Sequence, residues 1–168
     1  MPAAVPARIG WALELLNLQP DDGVLEIGCG SGAAMELACR VLDGGHITGI
    51  DRSATAVARA SARLGAELAA GTADLRTAPL ASLEAPASSF GKALAVNINT
   101  FWTGPAHAEL QVLRRVLRSD GLLLLVYETP GRPDRQLDGA AASLRAHGLE
   151  PEILHGPGPR LGAATARF

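Results

Sequence analysis

Residues 24–32 read Val-Leu-Glu-Ile-Gly-Cys-Gly-Ser-Gly, an apolar run that ends in glycines at alternate positions. The apolar part predicts a short buried strand, and residues 33–42 have the apolar spacing of a helix. Glycines between a strand and a helix allow a tight turn and let a ligand approach the backbone closely. The unpaired N–H groups at the start of the helix favour a carboxylate or a phosphate. We therefore expect this loop to bind a ligand that carries a nucleoside.

Short apolar runs alternate with amphipathic segments along the rest of the chain. Helices are predicted over 9–18, 33–42, 53–65, 106–118 and 134–147, and strands over 24–28, 46–50, 67–72, 90–98 and 122–127. The last two strand candidates, 150–155 and 161–168, are joined by a Gly-Pro-Gly-Pro connection that favours a loop or hairpin. This order predicts an α/β fold with a seven-stranded, mostly parallel sheet and an antiparallel C-terminal strand.

The composition narrows the class of protein. The chain has 168 residues, 48% of them hydrophobic, which predicts a single domain over residues 1–168. Within it, residues 1–20 are expected to carry an amino-terminal helix that covers the site. A formal net charge of -2 argues against nucleic-acid binding through bulk positive charge.

Location and redox state are also constrained by the sequence. Two cysteines without metal-ligand spacing predict neither a disulfide framework nor a metal site. The first residues lack the pattern of a signal peptide, and the longest apolar stretch, residues 122–127, is far shorter than a membrane span. We therefore expect a cytoplasmic protein that acts without a membrane or a nucleic acid as partner.

Two classes of nucleoside cofactor fit the glycine loop. Gly28, Gly30 and Ala33 satisfy the Gly-x-Gly-x-x-Ala pattern of dinucleotide-binding proteins, and Asp51 suits the ribose hydroxyls of either class. An NAD(P)-dependent oxidoreductase is therefore one alternative. Two features argue against it, namely the acidic Glu26 inside the first strand and the terminal hairpin, which leaves no second substrate domain.

Taken together, these features resemble class I S-adenosylmethionine-dependent methyltransferases. The resemblance is carried by Glu26-x-Gly28-x-Gly30-x-Gly32, by Asp51, by Ala73-Asp74 after the predicted third strand, and by the passage from Leu113 to Leu123. It covers nearly the whole chain, although Gly91 and Ser119-Asp120 depart from residues usual in that family. It implies a Rossmann-like doubly wound sheet, S-adenosyl-L-methionine as cofactor, and methyltransferase activity.

The resemblance implies which residues hold the methionyl part of the cofactor. They are the loop residues Gly28, Cys29, Gly30 and Gly32. Glu26 is expected to order this loop or to reach the cofactor's ammonium group through water.

The resemblance also assigns residues to the nucleoside and the reacting methyl group. Asp51 is expected on the ribose hydroxyls and Arg52 beside the adenine. Asp74 is expected to accept from the adenine amine, while Ala73 donates its backbone N–H. Asn97, at the end of the fourth predicted strand, is expected to face the sulfonium methyl.

The acceptor side is predicted from residues 97–102, which are rich in amide and aromatic groups. Asn97 and His107 are the candidate catalytic residues, the latter as a general base. The candidate pocket residues are Trp11, Asn99, Phe101, Trp102, Tyr127 and Glu128. Packing of the next helix is an alternative explanation for Phe101 and Trp102, and a surface position is one for His107.

The expected function is transfer of a methyl group to an oxygen or nitrogen of a small-molecule acceptor by in-line displacement. The protein then acts mainly by aligning the acceptor and excluding water. A protein that binds S-adenosylmethionine in a non-methylating or regulatory role is the principal alternative. The sequence leaves a homodimer open.

Overall fold

The computed structural model describes residues 5–168, which form a seven-stranded sheet with helices on both faces. The strands are β1 (Gly23–Ile27), β2 (His46–Asp51), β3 (Ala73–Thr77), β4 (Phe90–Val96), β5 (Leu117–Glu128), β6 (Glu152–His155) and β7 (Leu161–Arg167). The helices are α1 (Ala7–Leu16), α2 (Ala33–Cys39), α3 (Ala54–Arg63), α4 (Gly65–Ala70), α5 (Thr100–Thr103), α6 (His107–Val116) and α7 (Asp134–Ala146). A 3-10 turn spans Leu80–Ser82.

The strand order is β3-β2-β1-β4-β5-β7-β6, and β7 runs antiparallel to both of its neighbours. The α/β class and the antiparallel C-terminal strand predicted from the sequence are therefore confirmed. The chain leaves β1 toward β2 and β3 on one side and returns to β4 on the other side of β1. In open parallel sheets this reversal creates a crevice at the carboxyl ends of the strands, where ligands bind.

Two apolar cores hold the helices on opposite faces of the sheet. One joins α1, α2 and α3 to the sheet, with Leu16, Met35 and Ala60 among its buried members. The other joins α5, α6 and α7, with Phe101 and Leu113 fully buried. Burial on both faces explains the nearly continuous apolar run in β5, as is usual for parallel strands. None of the helices in residues 5–168 has the length and apolar composition needed to cross a membrane.

Helix α1 fits the predicted amino-terminal helix, with bounds shifted by two residues. Residues 1–4 of the predicted 1–20 segment lie outside the described residues. The helix runs antiparallel to the strands that it covers, because it leads from its first turn to the amino end of β1. Its first turn therefore lies near the carboxyl edge of the sheet, where the crevice forms.

The third strand differs from the prediction of residues 67–72. Most of that segment forms α4, which begins at Gly65 instead of ending the preceding helix there. Gly71 ends α4 with a φ of 75°, the left-handed conformation that glycine adopts readily. The segment is rich in alanine, glutamate and leucine, which favour a helix over a strand. The real β3 therefore begins at Ala73.

Strand β5 begins at Leu117, before the predicted residue 122, and residues 118–121 form an irregularity inside it. The pairing of β4 with β5 shifts register between Phe90 and Lys92. Asp120 has a φ of 66° and donates its backbone N–H to the Phe168 carbonyl at 2.9 Å. The extra residues form a bulge between the Leu117 and Leu122 pairings, and β5 stays parallel to β4 before and after it.

Candidate active site

The glycine loop after β1 has the backbone geometry that only glycine adopts easily. Gly28, Gly30 and Gly32 have φ values of 72°, 55° and 77°. A Cβ at Gly28 would collide with the Ile98 side chain, whereas a Cβ at Gly30 would meet only open space. Gly30 therefore presents bare backbone on the open side of the loop, where a ligand can approach without meeting a side chain.

Asp51, the last residue of β2, fixes this loop. One of its carboxylate oxygens accepts from the Gly30 N–H at 3.0 Å, and the other accepts from the Ser53 N–H at 2.9 Å. Each oxygen retains a lone pair, because a carboxylate offers about four acceptor sites. The carboxylate can therefore orient the loop and still accept hydrogen bonds from a diol. Ser53 also caps α3 by accepting from the Ala56 N–H.

Glu26 is a buried acid under the same loop. It is 4% exposed, and its Oε2 atom has no hydrogen-bond partner among residues 5–168. Burial and, to a smaller extent, the nearby Asp51 carboxylate raise the pKa of this carboxyl to about 8, and a hydrogen bond from the Met35 backbone N–H opposes them. A cationic ligand group nearby would favour the ionised form and supply the missing partner.

Cys29 lies in the loop but is not a nucleophile. Burial, together with the smaller effects of the neighbouring Glu26 and Asp51 carboxyl groups, raises the pKa of its thiol to about 12. The thiol therefore stays protonated at neutral pH, which is the inert form. The protonated thiol is not suited to nucleophilic attack, but the Cys29 backbone can still contact a ligand.

A cleft of about 280 Å³ opens above the loop at the carboxyl edge of the sheet. Its walls are formed by Gly28 on the loop, by Asp51 and Arg52 after β2, by residues 78–80 after β3, by residues 97–101 after β4, and by Glu109 of α6. Its volume is at the lower end of the range of small-molecule pockets. The structure thus brings together Gly28, Asp51, Arg52 and Asn97 in one cleft, as predicted from the sequence.

The structure places Ala73 and Asp74 outside the lining of the cleft, so its geometry does not support their predicted contacts with a nucleoside. Asp74 lies opposite Thr48, near the amino end of β3, and its carboxylate pairs with Arg76 at 2.8 Å. Three residues separate it from the carboxyl end of β3 at Thr77, about 10 Å along a strand. Residues 78–80 stand at the cleft in its place. This difference follows from the third strand, which begins at Ala73 and not at the predicted residue 67.

Asn97 lies on the cleft wall, with its side chain partly committed to the protein. It has a φ of 55°, and its Oδ1 atom accepts from the Glu128 N–H at 2.8 Å. This bond joins the ends of β4 and β5. The Nδ2 amide is therefore the part of Asn97 that is suited to meet a ligand.

The structure does not bring His107 to the cleft. Its Nδ1 lies 2.7 Å from Nε2 of His147, and its Nε2 lies 3.4 Å from the Gln111 amide nitrogen. This arrangement holds the imidazole against α7, at a site separate from the residues that line the cleft. The placement supports the surface interpretation and not a general base.

The aromatic residues after β4 mainly hold α5 in place. Phe101 is 1% exposed and belongs to the core, although it also reaches the cleft wall. The Trp102 indole donates to Asn99 Oδ1 at 3.2 Å, and the Arg135 guanidinium lies 5.2 Å from its ring centre. Gly139 of α7 allows close approach, since a Cβ there would collide with the Trp102 backbone.

The remaining predicted pocket residues, Trp11, Tyr127 and Glu128, do not line the cleft. Tyr127 is 2% exposed, its hydroxyl has no partner among residues 5–168, and burial raises its pKa above the usual range. Glu128 forms an ion pair of 2.9 Å with Arg8, which ties the first turn of α1 to the end of β5. Trp11 packs, partly buried, on the core beneath α1.

Sequence reasoning missed two charged residues, Arg8 and Glu109. Arg8 precedes the buried Ala12 and Leu16 at helical spacing, so the sequence could have predicted that Arg8 faces the sheet. Glu109 lies in the first turn of α6, where an acidic residue is common for helix-dipole reasons. Nothing local distinguishes it from such a residue, and only the packing of α6 places it in the cleft.

Comparison with known proteins places this fold and loop in a family. A family model described as a methyltransferase domain matches residues 24–121. The nocamycin O-methyltransferase of Saccharothrix syringae is 33% identical over 157 residues, which are 90% of this chain and 54% of that protein. The chain thus spans about half the length of this curated relative.

Solved structures share the fold at low sequence identity. A SAM-dependent methyltransferase from Aquifex aeolicus has a TM-score of 0.80 at 16% identity, covering 97% of this chain and 93% of that chain. The geranyl diphosphate C-methyltransferase of Streptomyces coelicolor, crystallised with S-adenosyl-L-homocysteine, has a TM-score of 0.76 at 14% identity, covering 96% and 75%. Since the family model spans more than half of the residues and begins at the glycine loop, the chain belongs to the class I S-adenosylmethionine-dependent methyltransferase family.

Proposed function

We propose that this protein binds S-adenosylmethionine in the cleft at the carboxyl edge of the sheet and transfers its methyl group to a small-molecule acceptor. One observation carries the proposal: the Asp51 carboxylate, which can still accept from a diol, lines the cleft and bonds to the bare Gly30 backbone, and the unpartnered Glu26 acid is buried under the same loop. These are the groups that a ligand with a ribose and a cationic amino-acid end requires.

The residues present fit this cofactor. Gly30 offers unobstructed backbone, Asp51 has free acceptor sites for the ribose hydroxyls, and Glu26 lies below the loop where a positive group would stabilise its ionised form. Arg52 and residues 78–80 line the part of the cleft beyond Asp51, which suits the base. The family match favours this cofactor over NAD.

Methyl transfer depends on the alignment of the acceptor more than on acid–base groups. When bound, the cofactor supplies a methyl group on a sulfonium, and transfer breaks the carbon–sulfur bond as the acceptor's lone pair forms the new bond. The acceptor's proton then leaves to water or to a nearby base. Asn97 stands at the carboxyl end of β4 on the cleft wall, where its Nδ2 amide can orient the acceptor.

The acceptor is proposed to be a small molecule methylated on oxygen. The relative from Saccharothrix syringae is an O-methyltransferase, which favours oxygen over nitrogen. Asn99 and Thr100 supply polar groups near the cleft, and the Arg8–Glu128 pair lies at the neighbouring strand end. Trp11 and Tyr127 are proposed as apolar support behind this region.

A second candidate is a protein of this family that binds the cofactor without methylating. It is favoured by the acceptor side, where Glu128, Asn97 and Trp102 bond to other protein groups and where His107 is turned away. The two candidates differ only in transfer, so binding and transfer must be measured separately.

The test has two steps. Thermal unfolding is first followed with S-adenosylmethionine, S-adenosylhomocysteine and NAD, since a ligand of the native state raises the midpoint by mass action. We expect both sulfur-containing ligands to raise it and NAD to leave it unchanged; stabilisation by NAD alone would overturn the proposal. Transfer of a radiolabelled methyl group to a panel of hydroxyl-bearing acceptors then decides between the two candidates, because the non-methylating protein transfers none.

A further inference from the structure

The nucleoside end of the cleft has no acidic side chain from β3. Residues 78–80, which form this wall, are Ala, Pro and Leu. The Ala78 N–H already donates to the Asp51 carbonyl at 3.0 Å, and Pro79 has no N–H. Asp74, the acid expected here from the sequence, is turned toward Arg76 near the other end of the strand. This wall therefore offers a base an apolar surface.

A carboxylate reaches the same cleft from another element. Glu109 lies in the first turn of α6, and α6 packs against the 3-10 turn that begins at Leu80. Its side chain is half-buried on the cleft wall. Within residues 5–168 it forms no hydrogen bond or ion pair, whereas Glu36, Asp74 and Glu128 each pair with an arginine.

We propose that Glu109 selects the base of the cofactor by accepting a hydrogen bond from the exocyclic amine of adenine. The inference rests on the proposed function, because it requires the nucleoside to lie beyond Asp51 against residues 78–80. A carboxylate only accepts hydrogen bonds, so it distinguishes adenine, which presents an N–H donor there, from hypoxanthine, which presents a carbonyl oxygen. Glu109 is thus a specificity residue and takes no part in the transfer step.

The competing explanation is that Glu109 only stabilises the positive end of α6, as acids in a first helical turn do. Glu67 occupies the first turn of α4 and serves as the matched control. Helix stabilisation changes the unfolding midpoint but leaves the ratio of affinities for two bases unchanged. That ratio is therefore the readout that separates the two roles.

The experiment is isothermal titration calorimetry of the full chain with S-adenosylhomocysteine and S-inosylhomocysteine. We expect the unaltered protein to prefer the adenine compound by about 10- to 100-fold, the effect of leaving a buried polar group facing an unsuitable partner. In Glu109→Gln the amide rotates to suit either base, so the preference should fall to within about threefold. Glu67→Gln should keep the full preference.

Three outcomes overturn the inference, and they are distinguishable. If the adenine compound fails to bind the unaltered protein, the proposed function fails as well. If it binds but shows no preference over the inosine compound, or if Glu109→Gln keeps the preference, only the role of Glu109 fails. Should Glu109→Gln fold poorly, Glu109→Asp keeps the charge and withdraws the carboxylate by one methylene, and an unchanged preference there also contradicts the assignment.

Discussion

The polar groups at the two ends of the cleft differ in whether they find hydrogen-bond partners within the protein. At the proposed cofactor end, Glu26 is buried with an unpartnered oxygen, and the backbone at Gly30 faces open space. On the proposed acceptor side, Asn97 bonds to the Glu128 backbone, and the Glu128 side chain pairs with Arg8. The first end thus keeps an acid free for a ligand, whereas on the second side the polar groups of Asn97 and Glu128 are bonded within the protein and, among residues 5–168, only the Tyr127 hydroxyl is not.

This difference shows where stability has been given up for binding. An unsatisfied buried polar group costs about 1–3 kcal/mol, and burying a charge costs more, so a fold without a ligand to hold gains nothing from Glu26. On the proposed acceptor side of the described chain only the buried Tyr127 hydroxyl carries such a cost, since Asn97 and Glu128 bond to other protein groups. An acceptor must replace contacts that the protein already makes, so we expect acceptor binding to be weaker than cofactor binding.

The largest expected effect comes from adding a side chain to the glycine loop. Gly28→Ala adds a Cβ that collides with Ile98 and places alanine at a φ of 72°, so it should destabilise the protein and abolish S-adenosylhomocysteine binding. Gly30→Ala imposes only the conformational cost, about 1–2 kcal/mol, because its Cβ meets open space. Urea denaturation should therefore show a larger loss of stability for Gly28→Ala. Equal losses in the two variants would contradict the packing described for Ile98.

The next effect concerns pH and Glu26. Its pKa is raised to about 8 in the folded protein from 4.5, so the folded state holds an extra proton between these values. The free energy of unfolding should therefore fall as pH rises from 4.5 to 8, by at most about 5 kcal/mol. Glu26→Gln, which mimics the protonated acid, should flatten this dependence in urea denaturation at several pH values. If the free energy of unfolding depended on pH equally in the variant and the unaltered protein, the raised pKa of Glu26 would be contradicted.

A smaller effect is expected at the acceptor end. Arg8→Ala removes a partly exposed ion pair, so the free energy of unfolding should change by less than about 1 kcal/mol. We expect the Kd of S-adenosylhomocysteine to stay the same and the KM of an acceptor to rise. Calorimetry and steady-state transfer assays check the two quantities. A rise in the cofactor Kd would place the pair at the wrong end of the cleft.

The smallest effect is predicted for His107. Because its ring bonds to His147 and not to the cleft, His107→Asn should leave kcat within about twofold, whereas loss of a general base costs about 100-fold or more. Transfer kinetics at saturating acceptor decide between these values. A 100-fold loss would restore His107 as the base.

The parts of the site that were predictable are those encoded locally. Glu26, Asp51 and the loop glycines lie at fixed distances from a strong strand–helix signal, so sequence reasoning placed them correctly. The prediction misplaced Asp74 because β3 is a short, weak strand and the preceding helix, α4, is similar to it in composition. The His107–His147 contact spans 40 residues and depends on how α6 and α7 pack, which no local pattern reveals.

The central claim is that the cleft beside Asp51 binds the cofactor, and a pair of aspartates tests it directly. Calorimetric titration of S-adenosylhomocysteine should show one site per chain in the unaltered protein. Asp51→Asn should weaken this binding by about 10- to 100-fold, the effect of removing a charged hydrogen-bond acceptor. Asp74→Asn, which changes the carboxylate paired with Arg76, should leave the affinity unchanged. Unweakened binding in Asp51→Asn, or an equal loss in Asp74→Asn, would contradict the account.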